Sequence, residues 1–362
     1  MGEQMADVAA AVVQELAEHD APISSARLCK TLGIRMSTLL RCLAYVGDAE
    51  IAGKPGLGWV DRREDGERLL LSLSASGRAA LEAGALQTPV PPAPVPMPAV
   101  TQQQAVLRYR DGVVQAAQDA LAEETPIALV YNGISHAVMM ATPADLEAFA
   151  TGFSLSEGIV DSVAQVYDVS CHPQQVGIEM RLTISGGQFS KLKGRRRQLA
   201  GRTGCGLCGL ESLQALDLDM LPLDHALRLR RSDLVAAMAS LPRYQELNAL
   251  TGALHIAAWA DARGQVQQAM EDVGRHNALD KLVGALAHDK VDSRAGWVLM
   301  SSRASYELVQ KCARAGISLL ATVSAPTALA VRLAEQAGIC LVGFVRESGL
   351  VVYSFPERIL AD

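Results

Sequence analysis

A chain of 362 residues is too long for one small core, so two or three domains are expected. Its formal net charge of -6 gives no overall attraction to nucleic acid or to an anionic membrane surface. No apolar run approaches the roughly 20 residues that a membrane-spanning helix needs, and the first residues lack the positive charge of a secretion signal. We therefore expect a cytoplasmic protein whose seven irregularly spaced cysteines are reduced and form no disulfide framework.

The first 86 residues have the pattern of three helices followed by a β-hairpin. Ser24 or Ser25 is placed to cap the second helix, which ends at Gly33. The predicted elements are helices over residues 5–19, 24–33 and 38–46 and strands over residues 58–61 and 68–73. This order predicts a winged helix-turn-helix domain over residues 1–86.

Two functions are open for this N-terminal domain. Four basic residues, Arg27, Lys30, Arg35 and Arg41, lie in an acid-free stretch around the supposed recognition helix, as DNA binding requires. Residues 1–86 nevertheless carry nine basic and twelve acidic side chains, a net charge of nine minus twelve, or -3. Because phosphate contacts dominate affinity for DNA, an acidic module favours protein interaction or dimerisation instead.

A proline-rich segment over residues 87–100 separates this domain from the rest of the chain. It holds six prolines between Pro89 and Pro98, with small apolar residues among them. Such a segment forms a semi-rigid spacer of about 3.1 Å per residue. We therefore predict a domain boundary here, with a second domain over residues 101–362.

The first part of the second domain contains predicted strands and a helix. Asn132-Gly133 is a typical two-residue hairpin turn between two strand-like runs. The predicted elements are strands over residues 126–130, 137–141, 163–169 and 177–184 and a helix over residues 144–152. Residues 191–201 are predicted to be a basic connector.

From Gly252 onward, predicted strands and helices alternate. The strands cover residues 254–259, 266–270, 297–300, 319–323, 340–345 and 351–354, and the helices cover residues 277–287, 306–315 and 326–337. This alternation predicts an α/β fold with a largely parallel sheet and helices on both faces. Ligands bind such sheets beyond the carboxyl ends of the strands, here near Ser301–Arg303, Ser324–Ala325 and Phe344–Gly349.

A glycine-rich loop over Gly201–Leu213 carries the two thiols Cys205 and Cys208. The run from Lys191 to Arg202 before it has six basic residues and no acid, and nearby cations favour the nucleophilic thiolate. A zinc site would need four ligands and a second Cys-x-x-Cys, and a thioredoxin-like dithiol would open a helix after the first strand. Both remain alternatives, and a sulfur relay through a cysteine persulfide is favoured.

The stretch Glu271–Lys281 concentrates polar residues at a strand-to-helix turn. At the turn itself it has two acids, Glu271 and Asp272, followed by an arginine, a histidine and a capping asparagine. The stretch is either a structural capping network or a polar site at the ligand edge of the sheet, and the second interpretation is slightly favoured.

These motifs together resemble the formate dehydrogenase accessory sulfurtransferase family, FdhD. The resemblance covers roughly residues 123–355 and is carried by motifs in the right order: Thr125–Gly133, His136–Gly158, Gly201–Leu213, Thr251–Trp259, Glu271–Lys281, Ser305–Lys311, Ser324–Gly338 and Leu341–Arg346. The N-terminal domain and the linker lie outside the family pattern, and Ser302 stands where the family would have glycine before the arginine.

The resemblance implies a cytidine-deaminase-like α/β fold with a mixed sheet and helices on both of its faces. It implies neither the deaminase zinc signature nor a permanently bound metal. It implies a cytoplasmic sulfur carrier that accepts sulfur from a cysteine desulfurase. The acceptor would be the molybdenum bis(molybdopterin guanine dinucleotide) cofactor of formate dehydrogenase. Cys205 would hold the persulfide and Cys208 would assist. The cofactor-binding residues would be Phe344, Val345, Arg346, Glu347, Ser348 and Gly349. It also suggests a homodimer.

Two other functions are considered beside the sulfur carrier. The chain is also compatible with a transcription regulator, with a DNA-binding domain over residues 1–86 and a C-terminal domain that senses cofactor or sulfur. The Cys-x-x-Cys pair is also compatible with a dithiol oxidoreductase. Sequence-selective DNA binding would favour the first, and catalytic reduction of a disulfide substrate would favour the second.

Overall fold

The computed structural model of the protein describes residues 3–19, 21–34, 36–47, 50–51, 54–65, 68–83, 95–200 and 221–362. These residues divide into two compact units, one within residues 1–94 and the other within residues 95–362. Both units mix helices and strands. The protein is therefore a mixed α/β protein, as the sequence predicted.

The N-terminal unit packs its helices on a small antiparallel sheet. The helices are α1 (Glu3–Ala17), α2 (Ser25–Leu32), α3 (Met36–Val46) and α4 (Ala75–Glu82), and the strands are β1 (Ile23–Ser24), β2 (Glu50–Ile51), β3 (Lys54–Pro55), β4 (Val60–Asp65) and β5 (Arg68–Leu73). The sheet order is β1-β5-β4. Ser24 caps α2 by accepting a hydrogen bond from the Arg27 amide at 3.3 Å, and Gly33 ends that helix with a φ of 62°.

The C-terminal unit contains seven described helices and fourteen described strands. The helices are α5 (Leu146–Ser156), α6 (Gly186–Ala200), α7 (Arg231–Ser240), α8 (Glu246–Thr251), α9 (Arg275–His288), α10 (Tyr306–Arg314) and α11 (Ala328–Ala337). The strands are β6 (Thr101–Arg110), β7 (Val113–Ala122), β8 (Thr125–Tyr131), β9 (Ile134–Ala141), β10 (Val166–Pro173), β11 (Ile178–Ile184), β12 (Leu229–Arg230), β13 (His255–Asp261), β14 (Val266–Asp272), β15 (Gly296–Met300), β16 (Leu319–Thr322), β17 (Cys340–Arg346), β18 (Gly349–Val352) and β19 (Ile359–Leu360).

A four-stranded sheet in the order β10-β11-β8-β9 forms the first half of this unit. Its β8–β9 hairpin turns at Asn132 and Gly133, whose φ values of 47° and 83° are both left-handed, as a two-residue turn of this type requires. Strand β11 returns parallel to β8. The sheet packs one face on α5 through a cluster that includes Ile127, Phe149 and Met180.

A six-stranded sheet in the order β14-β13-β15-β16-β17-β18 forms the second half. Only its centre is parallel, because β15 pairs with β16 and β16 with β17 in parallel while the other three pairings are antiparallel. The expectation of a largely parallel sheet was therefore wrong. The edge pairs β13–β14 and β17–β18 are antiparallel because a short hairpin turn joins the two strands of each pair, where a parallel pair would need a crossover helix.

Helices cover both faces of the six-stranded sheet. Residues of α9, α10 and α11 form one apolar cluster with one face of the sheet, and residues of α7 form another with the opposite face. Helix α5 lies very close to α9. The approach is so close that a Cβ atom on Gly152 would overlap the Asp280 carbonyl oxygen. A Cβ on Gly284 would likewise overlap the Ala148 carbonyl oxygen. The two sheets are thus joined through a glycine-mediated helix contact.

Two features of the unit differ from the sequence predictions. The basic connector predicted over residues 191–201 is wrong for its described part, since α6 continues to Ala200. Phe189 and Leu192 pack on the four-stranded sheet and hold that helix in place. The ten-residue strands β6 and β7 were not predicted, and they pair over their full length around Asp111-Gly112.

Candidate functional site

The strand ends of the six-stranded sheet bring distant parts of the chain to one edge. Ser301 to Arg303 follow β15, Ser324 follows β16, and Phe344 to Gly349 connect β17 to β18. Strand β13 is antiparallel to β15, so His255 at its start lies at the same edge as the end of β15. Strand β14 is antiparallel to β13, so Asp272 at its end also lies at this edge. This is the edge at which sheets of this kind bind ligands.

Asp272 fixes the turn between β14 and α9. One carboxylate oxygen accepts hydrogen bonds from the Gly274 amide at 2.8 Å and from Asn277 Nδ2 at 3.0 Å. The other contacts Lys281 Nζ at 2.8 Å and accepts from the Thr142 amide at 3.0 Å. Asp272 and Lys281 are both fully buried, so the turn contains a closed ion pair with its hydrogen bonds satisfied.

The same network joins the two sheets of the C-terminal unit. Lys281 Nζ donates to the Thr142 carbonyl at 3.1 Å, and Asn277 Nδ2 donates to the Met140 carbonyl at 2.7 Å. A Cβ atom at Gly274 would stand 2.7 Å from Asn277 Nδ2, so a larger residue at the turn would have to displace the Asn277 side chain. The polar stretch predicted from the sequence is therefore in part a structural capping network. Its first helical residue, Arg275, is not used by that network.

Arg275 lies in a cluster with His255 and His276. Its Nε atom is buried and has no hydrogen-bond partner within the part of the chain that the structure describes. Burial lowers the pKa of His255, and the positive charges of Arg275 and His276 lower it further. His255 Nδ1 lies 3.4 Å from Ser301 Oγ, which links this cluster to the end of β15.

His276 forms an ion pair with Glu307 at the start of α10, with 2.9 Å between Nε2 and Oε2. Ser305 Oγ donates to the same carboxylate oxygen at 3.2 Å. The hydrogen bond from His276 is the main cause that lowers the pKa of Glu307 to about 2. The charges of Asp272 and Glu307 are thus each matched by a neighbour, and the charge of Arg275 also contributes to the low pKa of Glu307.

The predicted cofactor-binding residues lie on one hairpin at the same edge. Phe344, Val345 and Arg346 end β17, Glu347 and Ser348 form the turn, and Gly349 begins β18. Phe344 has a φ of 53°, a left-handed conformation that is rare for a bulky residue, and its side chain is exposed. The β17–β18 register shifts between Gly343 and Arg346, so a bulge presents Phe344 beyond the strand.

A second buried ion cluster joins α5, α9 and α10. Lys311 Nζ contacts Asp280 Oδ1 at 2.8 Å, Glu157 Oε1 at 2.7 Å and Ser156 Oγ at 3.0 Å. Burial opposes the charge of Lys311, but Asp280 and Glu157 together raise its pKa. Tyr131 donates or accepts a hydrogen bond with Ser154 nearby, and burial raises the pKa of its hydroxyl. This cluster holds the helices together.

The two predicted carrier cysteines, Cys205 and Cys208, lie outside the described residues. Of the described thiols, Cys312 and Cys340 are buried, and burial raises the pKa of each to about 12. Such thiols are poor nucleophiles near neutral pH. The described residues contain no group of three or more His, Cys, Asp or Glu side chains that could hold a metal ion.

Fold and site together define a class. The C-terminal unit is an α/β unit built mainly on a four-stranded and a six-stranded sheet, with Arg275, His255 and His276 clustered at the ligand edge of the second. In the sequence, the basic helix α6 precedes the Cys-x-x-Cys pair. The chain belongs to the FdhD/NarQ family, whose model matches residues 122–360. Within the described residues, no helix is long and apolar enough to span a bilayer.

The chain is similar to curated relatives over most of the length of each relative. The protein named sulfur carrier protein FdhD from Bordetella petrii is 54% identical over 257 residues, which cover 70% of this chain and 92% of the relative. The protein of the same name from Cupriavidus necator is 56% identical over 255 residues, covering 70% of this chain and 88% of the relative.

A solved structure has a similar fold. It is the crystal structure of a candidate formate dehydrogenase accessory protein from Desulfotalea psychrophila, which is 24% identical and superposes with a TM-score of 0.57. The match covers 72% of this chain and all of that one. At this identity the comparison supports the fold.

The strand pattern in the sequence predicts that Phe344–Gly349 and the Glu271–Lys281 turn lie at the ligand edge, and the structure has both there. It does not predict two other features. The place of His255 beside Arg275 depends on the antiparallel pairing of β13 with β14. The buried ion cluster of Lys311 is the other. The spacing of Lys311 in the helical pattern gave a signal, since a lysine among the buried positions of α10 requires buried acids opposite it.

Proposed function

We propose that this protein is a sulfur carrier that supplies sulfur to the molybdenum cofactor of a formate dehydrogenase. The observation that carries the proposal is the identity of 54% and 56% to two proteins named sulfur carrier protein FdhD, over 257 and 255 residues. The residues that the family model matches, 122–360, include the Cys-x-x-Cys segment and the ligand edge. The carrier acts as a sulfurtransferase in the cytoplasm.

The transfer begins with Cys205 as the nucleophile. Its thiolate attacks the terminal sulfur of a persulfide on a cysteine desulfurase. The sulfur–sulfur bond of the donor breaks, the desulfurase thiolate leaves, and Cys205 holds the persulfide. The basic residues before the loop favour the thiolate form of Cys205.

Cys208 can complete the transfer. Its thiolate attacks the inner sulfur of the Cys205 persulfide, a disulfide forms between the two cysteines, and sulfide leaves toward the molybdenum centre. Two electrons pass from the thiols to the transferred sulfur, so a thiol reductant must restore the dithiol. The substrate cofactor, molybdenum bis(molybdopterin guanine dinucleotide), would bind at Phe344–Gly349, where a strained, exposed aromatic residue stands at the ligand edge.

We further propose that the protein is a homodimer. Strands β6 and β7 form a hairpin whose large apolar side chains are exposed, with Tyr109 76% and Leu107 62% exposed. An isolated two-stranded hairpin is marginally stable in water. Its four charged residues sum to zero, two basic and two acidic, which suits an apolar contact between identical copies better than a charged partner.

The N-terminal unit is proposed to be a winged-helix-like module that binds protein. Helix α3 exposes Met36, Leu40 and Tyr45, and Leu57 is exposed after it, with Leu40 51% exposed. These are apolar side chains where a DNA-binding helix would present polar groups to bases and phosphates. A gel-shift experiment at physiological salt tests the alternative of a transcription regulator, which requires sequence-selective binding by the intact chain.

Mass spectrometry tests the sulfur-carrier function. After incubation with a cysteine desulfurase and cysteine, the intact protein should gain one sulfur atom that maps to Cys205. The Cys205→Ala variant should gain none and should not support formate dehydrogenase maturation, whereas Cys340→Ala is a matched control because that thiol is buried. Normal maturation with Cys205→Ala would refute the assignment. Catalytic reduction of disulfides without sulfur gain would favour a dithiol oxidoreductase.

A further inference from the structure

The N-terminal unit has its exposed apolar side chains on one helix and the segment beside it. Among the described residues of this unit, four large apolar side chains are at least 40% exposed, namely Met36, Leu40, Tyr45 and Leu57. The first three lie on α3, and the Leu57 amide donates a hydrogen bond to the Tyr45 carbonyl at 2.9 Å. Single exposed apolar residues are normal on a protein, whereas a group of them marks a contact site. We call this group the α3 surface.

The α3 surface is not needed for the core of its own unit. Leu39 and Leu43 on the other side of α3 are buried in a cluster that α1, α2 and the small sheet share. Leu40 and the next row of α3, Arg41 and Tyr45 at four-residue spacing, are exposed on the side away from that cluster. The apolar side chains of the α3 surface therefore stabilise a contact with another molecule and not the fold of the unit.

The charge around the α3 surface is positive, although residues 1–86 are acidic overall. Residues 21–47 contain no acidic side chain and four basic ones, Arg27, Lys30, Arg35 and Arg41. Helix α1 has the opposite character, with three acidic residues and no basic one. A positive surface attracts an acidic partner and repels a basic one, and two copies of the α3 surface would repel each other. Charge complementarity therefore selects a different, acidic partner.

We propose that the α3 surface binds an amphipathic helix of a partner protein, with acidic residues beside the apolar side of that helix. Apolar side chains of the partner pack on Met36, Leu40 and Tyr45, as in other complexes in which a helix lies on an apolar surface. Its carboxylates pair with Arg41 and with the exposed cations of α2, which packs against α3. Tyrosine, arginine and methionine are enriched at such contacts. The inference rests on the proposed protein-binding role of the N-terminal unit and names its surface and partner.

Fluorescence anisotropy of the intact protein with a labelled synthetic helical peptide tests the surface. The peptide carries leucines on one side and glutamates on the other. Wild type should bind it about tenfold or more tightly than a peptide with lysine for each glutamate or with serine for each leucine. Leu40→Ser should weaken binding about tenfold. Val176→Ser is the matched control, an 84% exposed apolar side chain of the C-terminal unit, and should bind as wild type does. No binding by wild type, or equal affinity for the glutamate and lysine peptides, overturns the proposal.

Reversal of one charge gives a second test. Arg41→Glu should lower affinity for the glutamate peptide about tenfold and raise affinity for the lysine peptide. Arg63→Glu is its control, because Arg63 is exposed on β4 and, by strand alternation from the buried Val60, lies on the face of the sheet away from the core. The control should keep wild-type affinity for both peptides. An equal effect of the two substitutions would show general attraction between charges and overturn the assignment to α3.

Two further measurements separate the α3 surface from the other functions. Duplex DNA that binds wild type as tightly as the glutamate peptide, and is lost in Arg41→Glu, would show a nucleic-acid surface and overturn the proposal. Sulfur gain at Cys205 should be normal in Leu40→Ser and Arg41→Glu. Wild type that gains sulfur but binds no glutamate peptide refutes the α3 surface alone. Wild type that binds the peptide as expected but gains no sulfur supports the α3 surface and refutes the sulfur-carrier function alone.

Discussion

Lys311 is the residue on which the packing of α5, α9 and α10 depends most directly. Its ammonium group contacts Asp280 and Glu157 in a site where Lys311 is 5% and Asp280 1% exposed. Lys311→Met should lower the free energy of unfolding by about 3–5 kcal/mol, because it leaves Asp280 as a buried charge without a counter-ion. Urea denaturation measures this change.

Two comparison variants show whether the loss comes from the unpaired charge. The double variant Lys311→Met with Asp280→Asn should recover part of the stability, because neither charge is then buried. Lys191→Met removes an exposed lysine, 65% accessible, and should change stability by less than about 1 kcal/mol. A double variant less stable than the single one would contradict the charge explanation.

Glu307 makes the His276 contact dependent on pH. The carboxylate has its pKa lowered to about 2, chiefly by the hydrogen bond from His276, so it binds its proton less readily in the folded state than in the unfolded state. The stabilisation is therefore present above the usual carboxylate pKa of about 4.5 and is lost as the pH falls toward about 2. Glu307 is 41% exposed, so the effect should stay below about 1 kcal/mol.

Denaturation of wild type and Glu307→Gln at about pH 5 and about pH 3 measures this dependence. The stability advantage of wild type should shrink at the lower pH, because at about pH 3 Glu307 takes up a proton in the unfolded chain, where its pKa is about 4.5, while the folded carboxylate with its pKa of about 2 stays charged. An advantage that grows on acidification would show that the carboxylate is destabilising in the folded protein.

At the level of elements, the contact between α5 and α9 is the feature most sensitive to a single methyl group. The Cβ atom of Gly152→Ala would overlap the Asp280 carbonyl oxygen, which belongs to a helix backbone and has no rotamer to change. The helices must move apart, so we expect a loss of about 2 kcal/mol or more in unfolding free energy. Gly187→Ala in α6 is the control, since no atom lies within 4 Å of its Cβ. Thermal unfolding of both variants should show a loss for the first only.

The β6–β7 hairpin is the element proposed to join two copies. Leu107 and Tyr109 lie on one face with Ala116 and Val114 opposite them in register. The double variant Leu107→Asp with Tyr109→Asp should convert a dimer into a monomer in light-scattering measurements, because charged groups cannot be buried in an apolar contact without a partner. Gln115→Asp, on the other face of the same hairpin, should leave the dimer intact. A wild-type monomer at micromolar concentration would refute the role of the hairpin.

The helices and strands could be predicted from the sequence where residues at their ends, such as a capping serine or a turn dipeptide, agree with the apolar pattern that the fold buries. The second helix of the N-terminal unit has its serine cap and glycine end as predicted, and the Asn132-Gly133 hairpin has the turn that this dipeptide favours. Strand β6 was missed because its apolar residues are mostly exposed and do not alternate with its polar ones, since three glutamines and then three apolar residues are consecutive. The helix at α6 was missed because its glycines and basic residues give almost no apolar periodicity.

At the scale of the whole molecule, the candidate site shows why sequence reasoning reached only part of it. Phe344 could be assigned to the ligand edge because strand order within an α/β pattern fixes where a strand ends. The proximity of His255 to Arg275 could not be predicted. It depends on the antiparallel pairing of β13 with β14 and on the position of Arg275 at the start of α9. The buried Lys311 cluster depends in the same way on three helices meeting in space.

The two units should unfold independently. Within the part of the chain that the structure describes, the apolar cluster of the N-terminal unit is built from residues 1–94 and the three clusters of the C-terminal unit from residues 95–362. Cores that share no side chain add their stabilities separately. A chain that begins at Val95 should therefore keep the unfolding midpoint of the C-terminal transition seen in the intact protein by differential scanning calorimetry, and should still gain sulfur at Cys205. A midpoint lowered by more than about 4 °C, roughly 1 kcal/mol for a unit of this size, would show that residues 1–94 stabilise the carrier unit.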